Sequence, residues 1–229
     1  MTQKINPISL RLGITQVWDS ILQNYGKLNK NYSLILHKQI QFYKFLMQLL
    51  NSSKLLVSQK ELQFKNNYVL VNLYYLNENL PISSLDLTKI SKIIFQWFFV
   101  RVVLRLYLKY KLYSSINLVF NYTKYLLEQG ELPTKILWNL CRFLEVHLNA
   151  NKVFNSVKGP IRVNLKGFKI RLAGRLDGSK NQMAKTIEQK VGSLPLASLK
   201  SYVEFLNTEI HTKLGTCGLQ IWLFYSIIN

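Results

Sequence analysis

Between Ile161 and Leu172 the chain alternates apolar side chains with Arg162, Asn164, Lys166, Lys169 and Arg171. A period of two belongs to extended chain, whose successive side chains point to opposite faces, so this stretch reads as extended and ends in a strand. Residues 186–195, 199–212 and 218–225 supply further segments, and the last sets Leu219, Ile221 and Leu223 against Gln220, Trp222 and Phe224. By period alone 199–212 suits a helix as well as a strand. Upstream, Leu137, Leu140, Cys141, Leu144 and Leu148 share one face of a helix over 134–148, with Thr134 as its cap just after Pro133.

Charge narrows the class of partner. The net charge of +19 implies a polyanion, because such a surplus repels itself unless phosphates or anionic lipids neutralise it. The surplus is concentrated: residues 151–190 hold ten Lys or Arg against Asp177 and Glu188, a net +8, whereas residues 191–229 balance to zero. Arginine adds bidentate phosphate contacts, which singles out Arg11, Arg171 and Arg175 in a population made mainly of lysine.

The first half reads differently. Residues 1–30 carry Pro7, Gly13 and Gly26 with little helical period, an extended arm with turns of the kind that folds against a partner. Residues 34–50 place Leu36, Ile40, Tyr43, Met47 and Leu50 at spacings of three and four, as an amphipathic helix does. Residues 55–64 and 68–76 are rich in Leu, Val, Phe and Tyr around Lys65, Asn66 and Asn67, consistent with a hairpin. Over 93–112 the pattern suggests a helix with Arg101, Arg105 and Lys109 as one basic stripe. Its longest uncharged run, IIFQWFFV, has eight residues, far short of the ~20 that a spanning helix needs.

Three strings carry a family resemblance: INPISLRLGIT at 5–15 followed by Trp18, Asp19 and Ser20, KIRLAGRLDG at 169–178, and GTCGLQIWLFY at 215–225. They resemble the bacterial-type small-subunit ribosomal protein S-three family, with Gly174, Arg175, Leu176 and Gly178 on one motif. Ala184, Lys185 and Thr186 fit a second motif, and His211, Thr212, Gly215, Gly218 and Trp222 a third. The resemblance implies an α+β chain of an arm (1–30), a type II KH-like α/β domain (31–132), and a C-terminal domain (133–229) of helices on an antiparallel sheet. It tips 199–212 to a strand.

A KH domain grips single-stranded nucleic acid through a G-x-x-G loop, whose glycines let backbone amides approach phosphates. No glycine lies between Gly26 and Gly130, and the expected loop falls at 77–84, where Pro81 makes a turn but no cradle. The KH-like domain is therefore expected to be degenerate, a scaffold without the family's usual grip.

With charge, the resemblance implies rRNA contacts at Lys4, Arg11, Lys166, Lys169, Arg171, Arg175, Lys180, Lys185 and Lys190, and structural turns at Gly174, Gly178, Gly215 and Gly218. It also implies a place in the small-subunit head beside proteins of the S-ten and S-fourteen families, and a border on the channel by which mRNA enters. There the family uses a helix rich in paired arginines. Counting back from Gly174 puts that helix near 150–156, where Lys152 is the basic residue, with Lys158 just beyond.

No catalytic constellation is visible. The eleven acidic residues lack paired spacing, no Walker-type loop or G-x-S-x-G occurs, and Cys141, Cys217, His37, His147 and His211 are too scattered for a metal site. No enzyme activity, cofactor or metal is expected. Twenty Asn and 23 Lys stand against 4 Ala and 7 Arg, a bias of A- and T-rich organellar genomes. The first residues show no pattern of a targeting leader, and none is expected. Together these point to the mitochondrial matrix and its ribosome, with a plastid or a bacterial cytoplasm as alternatives. Two other functions fit the charge: a free-standing organellar RNA-binding factor of the same fold, and a peripheral membrane protein whose lysines meet anionic lipid.

Overall fold

The computed structural model describes residues 5–18, 29–52, 56–64, 68–76, 91–93, 95–96, 101–109, 111, 113, 115–176, 183–212 and 215–228. They belong to two compact units, Asp19–Leu112 and a second made of Met1–Trp18 with Tyr113–Asn229. The architecture mixes α and β, with a sheet-rich C-terminal region.

In the first unit α1 spans Asn29–Ser52, longer at both ends than the 34–50 expected. Among its described side chains Gln39, Phe42 and Leu46 are buried and Leu36 and Tyr43 half-buried, while Ile40, expected on the apolar face, is exposed. Strands β1 (Leu56–Phe64) and β2 (Tyr68–Leu76) form the expected antiparallel hairpin. β2 reads YVLVNLYYL, and Val69, Leu70, Val71 and Leu73 are all buried. A near-continuous apolar run suits a central strand covered on both faces.

The third strand, β3 (Arg101–Leu108), runs parallel to β2 in the register Tyr68↔Arg101 to Tyr75↔Leu108. This corrects the helix expected over 93–112 along 101–108, while Ile93, Phe95 and Gln96 at its start are helical. Cationic residues four apart share a face on a helix and equally on a strand, so Arg101, Arg105 and Lys109 stay aligned although the element changed. What decides is composition: RVVLRLYL is rich in β-branched and aromatic residues.

In the second unit, α2 (Ile116–Gln129) lies in a stretch to which the sequence analysis assigned no element. The Ser115 side chain accepts from Leu118 N at 3.4 Å, and Gly130, at φ +86°, ends the helix by donating to the Leu126 and Leu127 carbonyls. Because α2 buries Ile116, Val119 and Leu127 in the C-terminal core, the boundary expected at 132 falls ahead of Tyr113. Helix α3 (Pro133–Val146) has Pro133 in its first turn and Leu132 at the cap position, so Thr134 does not cap it. Its buried face, Ile136, Leu137, Leu140, Cys141 and Leu144, is the one expected, with Leu148 beyond the helix end.

The sheet comprises β4 (Asn151–Ser156), β5 (Gly159–Gly174), β6 (Lys185–Gly192), β7 (Ser201–Thr212) and β8 (Gly215–Ile227). Its order is β4-β5-β8-β7, with β6 joining β5, and every pairing is antiparallel. The 199–212 segment is thus a strand, as the resemblance favoured. Residues 151–156, where the arginine-rich helix was placed, are strand β4. The preceding helix is α3.

Between Leu165 and Gly167 the β5/β8 register shifts. This irregularity swaps the parity of β5, so Val163 and Leu165 before it, and Phe168, Ile170 and Leu172 after it, all enter one core. That core unites them with Leu219, Ile221 and Leu223 of β8 and the buried faces of α2 and α3. Each such fully buried side chain is worth ~1.5–3 kcal/mol over exposure, so this face dominates the unit's stability.

Candidate nucleic-acid interface

The opposite face of the sheet carries the polar half of each strand. Cross-strand register aligns Lys190, Lys169, Trp222 and Phe205 in one row, and Glu188, Arg171, Gln220 and Asn207 in the next. Lys169 Nζ lies 2.7 Å from Glu188 and 5.4 Å from the centre of the Trp222 ring, which lies 5.1 Å from that of Phe205. Arg171 Nε is 3.2 Å from the other Glu188 oxygen. Lys190 is exposed at the edge. Three of the expected cations therefore share this face, with Lys169 beside the indole and Glu188 between Lys169 and Arg171.

This arrangement suits a polyanion with flat bases. Lysine and arginine attract phosphate and release counterions, and an aromatic ring with an open face stacks a base of any identity. Both Glu188 pairs involve half-exposed side chains, so they are worth ~0–1 kcal/mol and yield readily to a phosphate.

At the far end of this face Val203 and Phe224 are buried, and there the N-terminal arm docks. Gln16 donates through Nε2 to the Val203 carbonyl. Arg11 is fully buried, at 0% exposure. Its Nε donates to Ser201 O at 3.1 Å, Nη1 to Pro7 O at 2.8 Å, and Nη2 to Leu196 O and Ser198 O, both at 2.7 Å, with Ser201 Oγ at 3.2 Å. Burial lowers its pKa from the ordinary arginine value, because desolvation disfavours the charged form. The expected rRNA contact at Arg11 is thus corrected: its donors are spent inside the protein, pinning the arm to the loop before β7. Residues 5–18 of the arm dock on their own chain.

Lys152, expected near the mRNA channel, is held at 2.8 Å by Glu204 and lies 4.0 Å over the Phe154 ring. Glu204, itself buried, also accepts from Ile116 N at the start of α2 at 3.1 Å. Lys152 therefore serves the joint between β4, β7 and α2. Lys158 is exposed in the turn between β4 and β5. Lys166 is exposed and donates to Asn149 Oδ1 at 3.1 Å; Lys185 is exposed at the start of β6 and Arg175 is half-buried just after β5. Lys4, Lys180 and Gly178 lie outside the described residues.

Of the turn glycines, Gly174 lies so close to Cys217 that a Cβ would sit 2.8 Å from its sulfur, and Gly215 holds φ +130°. Gly218 has neither constraint: a Cβ there meets only Ala173 O at 3.9 Å, and the residue lies within β8 rather than at the structural turn expected.

A second aromatic and cationic pair was not expected from the sequence. On the exposed side of α3, the Arg142 guanidinium lies 5.4 Å from the Trp138 ring centre. The signal was present, since Lys135, Trp138 and Arg142 lie three and four apart, opposite the buried stripe. Among the described residues no three His, Cys, Asp or Glu side chains converge as a metal site would require, and no helix is long and apolar enough to cross a membrane.

Comparison with known proteins agrees with this geometry. Residues 142–223, from the middle of α3 into β8, match the family model described as ribosomal protein S3, C-terminal domain. The chain is 43% identical to small ribosomal subunit protein uS3m of Chondrus crispus, over 99% of this chain and 95% of that one. It is 27% identical to uS3c of Euglena longa, covering 97% of this chain and 99% of the relative. To uS3 of Beijerinckia indica it is 28% identical, covering 98% and 84%. With near-complete coverage and the arm, α3 and the C-terminal sheet in the family's order, the chain belongs to the ribosomal protein S3 family of the small ribosomal subunit, in its mitochondrial type.

Proposed function

We propose that this protein is a structural constituent of the head of the mitochondrial small ribosomal subunit, held to rRNA by the helix-free face of its C-terminal sheet. The observation that carries the proposal is that Lys169, Arg171 and Lys190 share one face with Trp222, opposite a core that needs none of them. Lys166, Lys158 and Lys185 extend the basic surface along the same strands and turns. Arg175, Lys4 and Lys180 complete the set carried over from the family.

The arm and the C-terminal sheet act as one body in this reading, and residues 31–112 as a degenerate type II KH-like domain. The order of helix and two antiparallel strands, followed by a parallel third strand, supports that assignment. Residues of α3 take the side toward the channel by which mRNA enters, with Lys135 and Arg142 as its exposed cations. Proteins of the S-ten and S-fourteen families are the expected neighbours. No catalytic role is proposed.

The test replaces Lys169, Arg171 and Lys190 by Glu together and measures incorporation into small subunits by reconstitution. Removing these contacts should lower incorporation at least tenfold, with the thermal midpoint nearly unchanged because the residues lie outside the core. Wild-type incorporation of the folded variant would refute the assignment of this face.

A further inference from the structure

The middle unit lacks a G-x-x-G loop, yet β3 keeps a row of cations that no contact described above requires. Arg101, Val103, Arg105, Tyr107 and Lys109 alternate onto one face of the strand and its continuation, with Arg101 and Arg105 exposed. The parallel register sets Tyr74 beside Tyr107, and their rings stack with centroids 5.0 Å apart and planes 21° apart. Lys109 Nζ lies 4.9 Å from the centre of the Tyr74 ring, and Tyr107 is 40% exposed. Asn72, which pairs with Arg105, donates to Glu61 at 3.3 Å, so this carboxylate lies on the far side of β2 from the row of cations.

A strand rises ~3.3 Å per residue, so Arg101, Arg105 and Lys109 are spaced about 13 Å apart along a line beside the tyrosine pair. Cations in a row track a phosphate backbone, and a partly open aromatic ring stacks a base without regard to its identity. Duplex RNA keeps its bases stacked internally and offers none to a flat ring, which favours a single strand.

We infer that the face formed by Tyr74, Tyr107, Arg101, Arg105 and Lys109 binds single-stranded RNA, with side-chain cations and a stacking platform in place of the glycine loop. The inference rests on the reading of the chain as an rRNA-binding protein and locates a second contact within it.

The test uses the full-length chain and a 12-nucleotide uridine RNA, with binding followed by fluorescence anisotropy across a range of salt. Replacing Arg101 and Arg105 by Ala together should weaken binding and flatten the slope of log K against log salt by about 1.4, the effect of losing two single-strand phosphate contacts. Tyr107→Leu should weaken binding about tenfold with the slope unchanged, while Tyr107→Phe, which keeps the ring, binds like wild type. A parallel variant with Lys169 and Arg171 replaced by Ala reports on the C-terminal face.

If the β3 variants bind and respond to salt like wild type while the C-terminal variant is weakened, the inference fails and the rRNA reading stands. Wild-type binding by all variants sinks both. Loss of binding to phosphatidylserine vesicles in the arginine variant, with RNA binding intact, would also overturn the inference by making the face a lipid surface. The exposed arginine pair and Tyr107→Phe keep the test decisive even where Tyr107→Leu fails to fold.

Discussion

Replacing Arg11 by Met tests the role of the arm because it nearly preserves side-chain volume while deleting every donor. Four carbonyls and one hydroxyl lose their partner. Their fates differ. Leu196 and Ser198 lie in an exposed loop where water can replace the guanidinium, and Ser198 O keeps the Ser201 hydroxyl at 2.7 Å. Pro7 O and Ser201 O face Arg11 in buried bonds. Each buried acceptor left unmet costs ~1–3 kcal/mol, and relief of the buried charge offsets part of the sum. A net loss of about 3 kcal/mol follows, or a drop of roughly 6–12 °C in Tm for a chain of this size.

Thermal unfolding followed by circular dichroism reads that drop, and limited proteolysis should find new cuts in residues 5–18. Arg11→Lys should fall between, since an ammonium cannot reproduce the fork that reaches both Pro7 and the loop at 196–201. An unchanged midpoint and intact arm in Arg11→Met, together with lost rRNA binding, would refute the structural reading and return Arg11 to the phosphate.

Glu188→Gln should tighten binding to single-stranded RNA by about two- to fivefold and steepen its salt dependence, because Lys169 and Arg171 lose their local carboxylate; weaker binding would show that Glu188 positions them instead. Gly215→Ala should cost about 1 kcal/mol through its left-handed backbone, and Gly218→Ala almost nothing, as read from urea midpoints; equal losses would contradict the difference between the two sites. Burial, with a smaller contribution from Glu145, pushes the Cys141 thiol up to about 11 from 9.0. The unfolded thiol then ionises first, so this site's contribution to stability is whole below pH 9 and is lost as pH rises toward 11. Iodoacetamide at pH 8 should modify Cys141 slowly until the chain unfolds, and rapid modification of the folded protein, mapped by mass spectrometry, would disprove its burial.

The C-terminal sheet was legible because its period carries even its irregularity. The polar positions run Arg162, Asn164, Lys166 and then Lys169, Arg171, a jump from even to odd that is the register shift at Gly167 written in sequence. The basic face was legible for the same reason, since any lysine or arginine on that parity must leave the core. Arg11 was not. A buried arginine and a phosphate-binding arginine have the same identity and the same neighbours in sequence, and only the approach of the loop at 196–201 distinguishes them. Lys152 misled similarly, because its partner Glu204 is remote in sequence. In the middle of the chain, four-residue spacing of cations could not separate helix from strand, and α2 was missed although Ser115 and Gly130 mark its ends.

The central claim, that this chain is built into a small ribosomal subunit through rRNA, is tested most directly by sedimentation of a mitochondrial lysate with the protein quantified against small-subunit rRNA. One copy per small-subunit rRNA, retained through a moderate-salt wash, is expected, because multiple phosphate contacts and stacked bases act together. Protein found mainly at the top of the gradient, or released by that wash while the other small-subunit proteins stay, would contradict it and favour a free RNA-binding factor of the same fold.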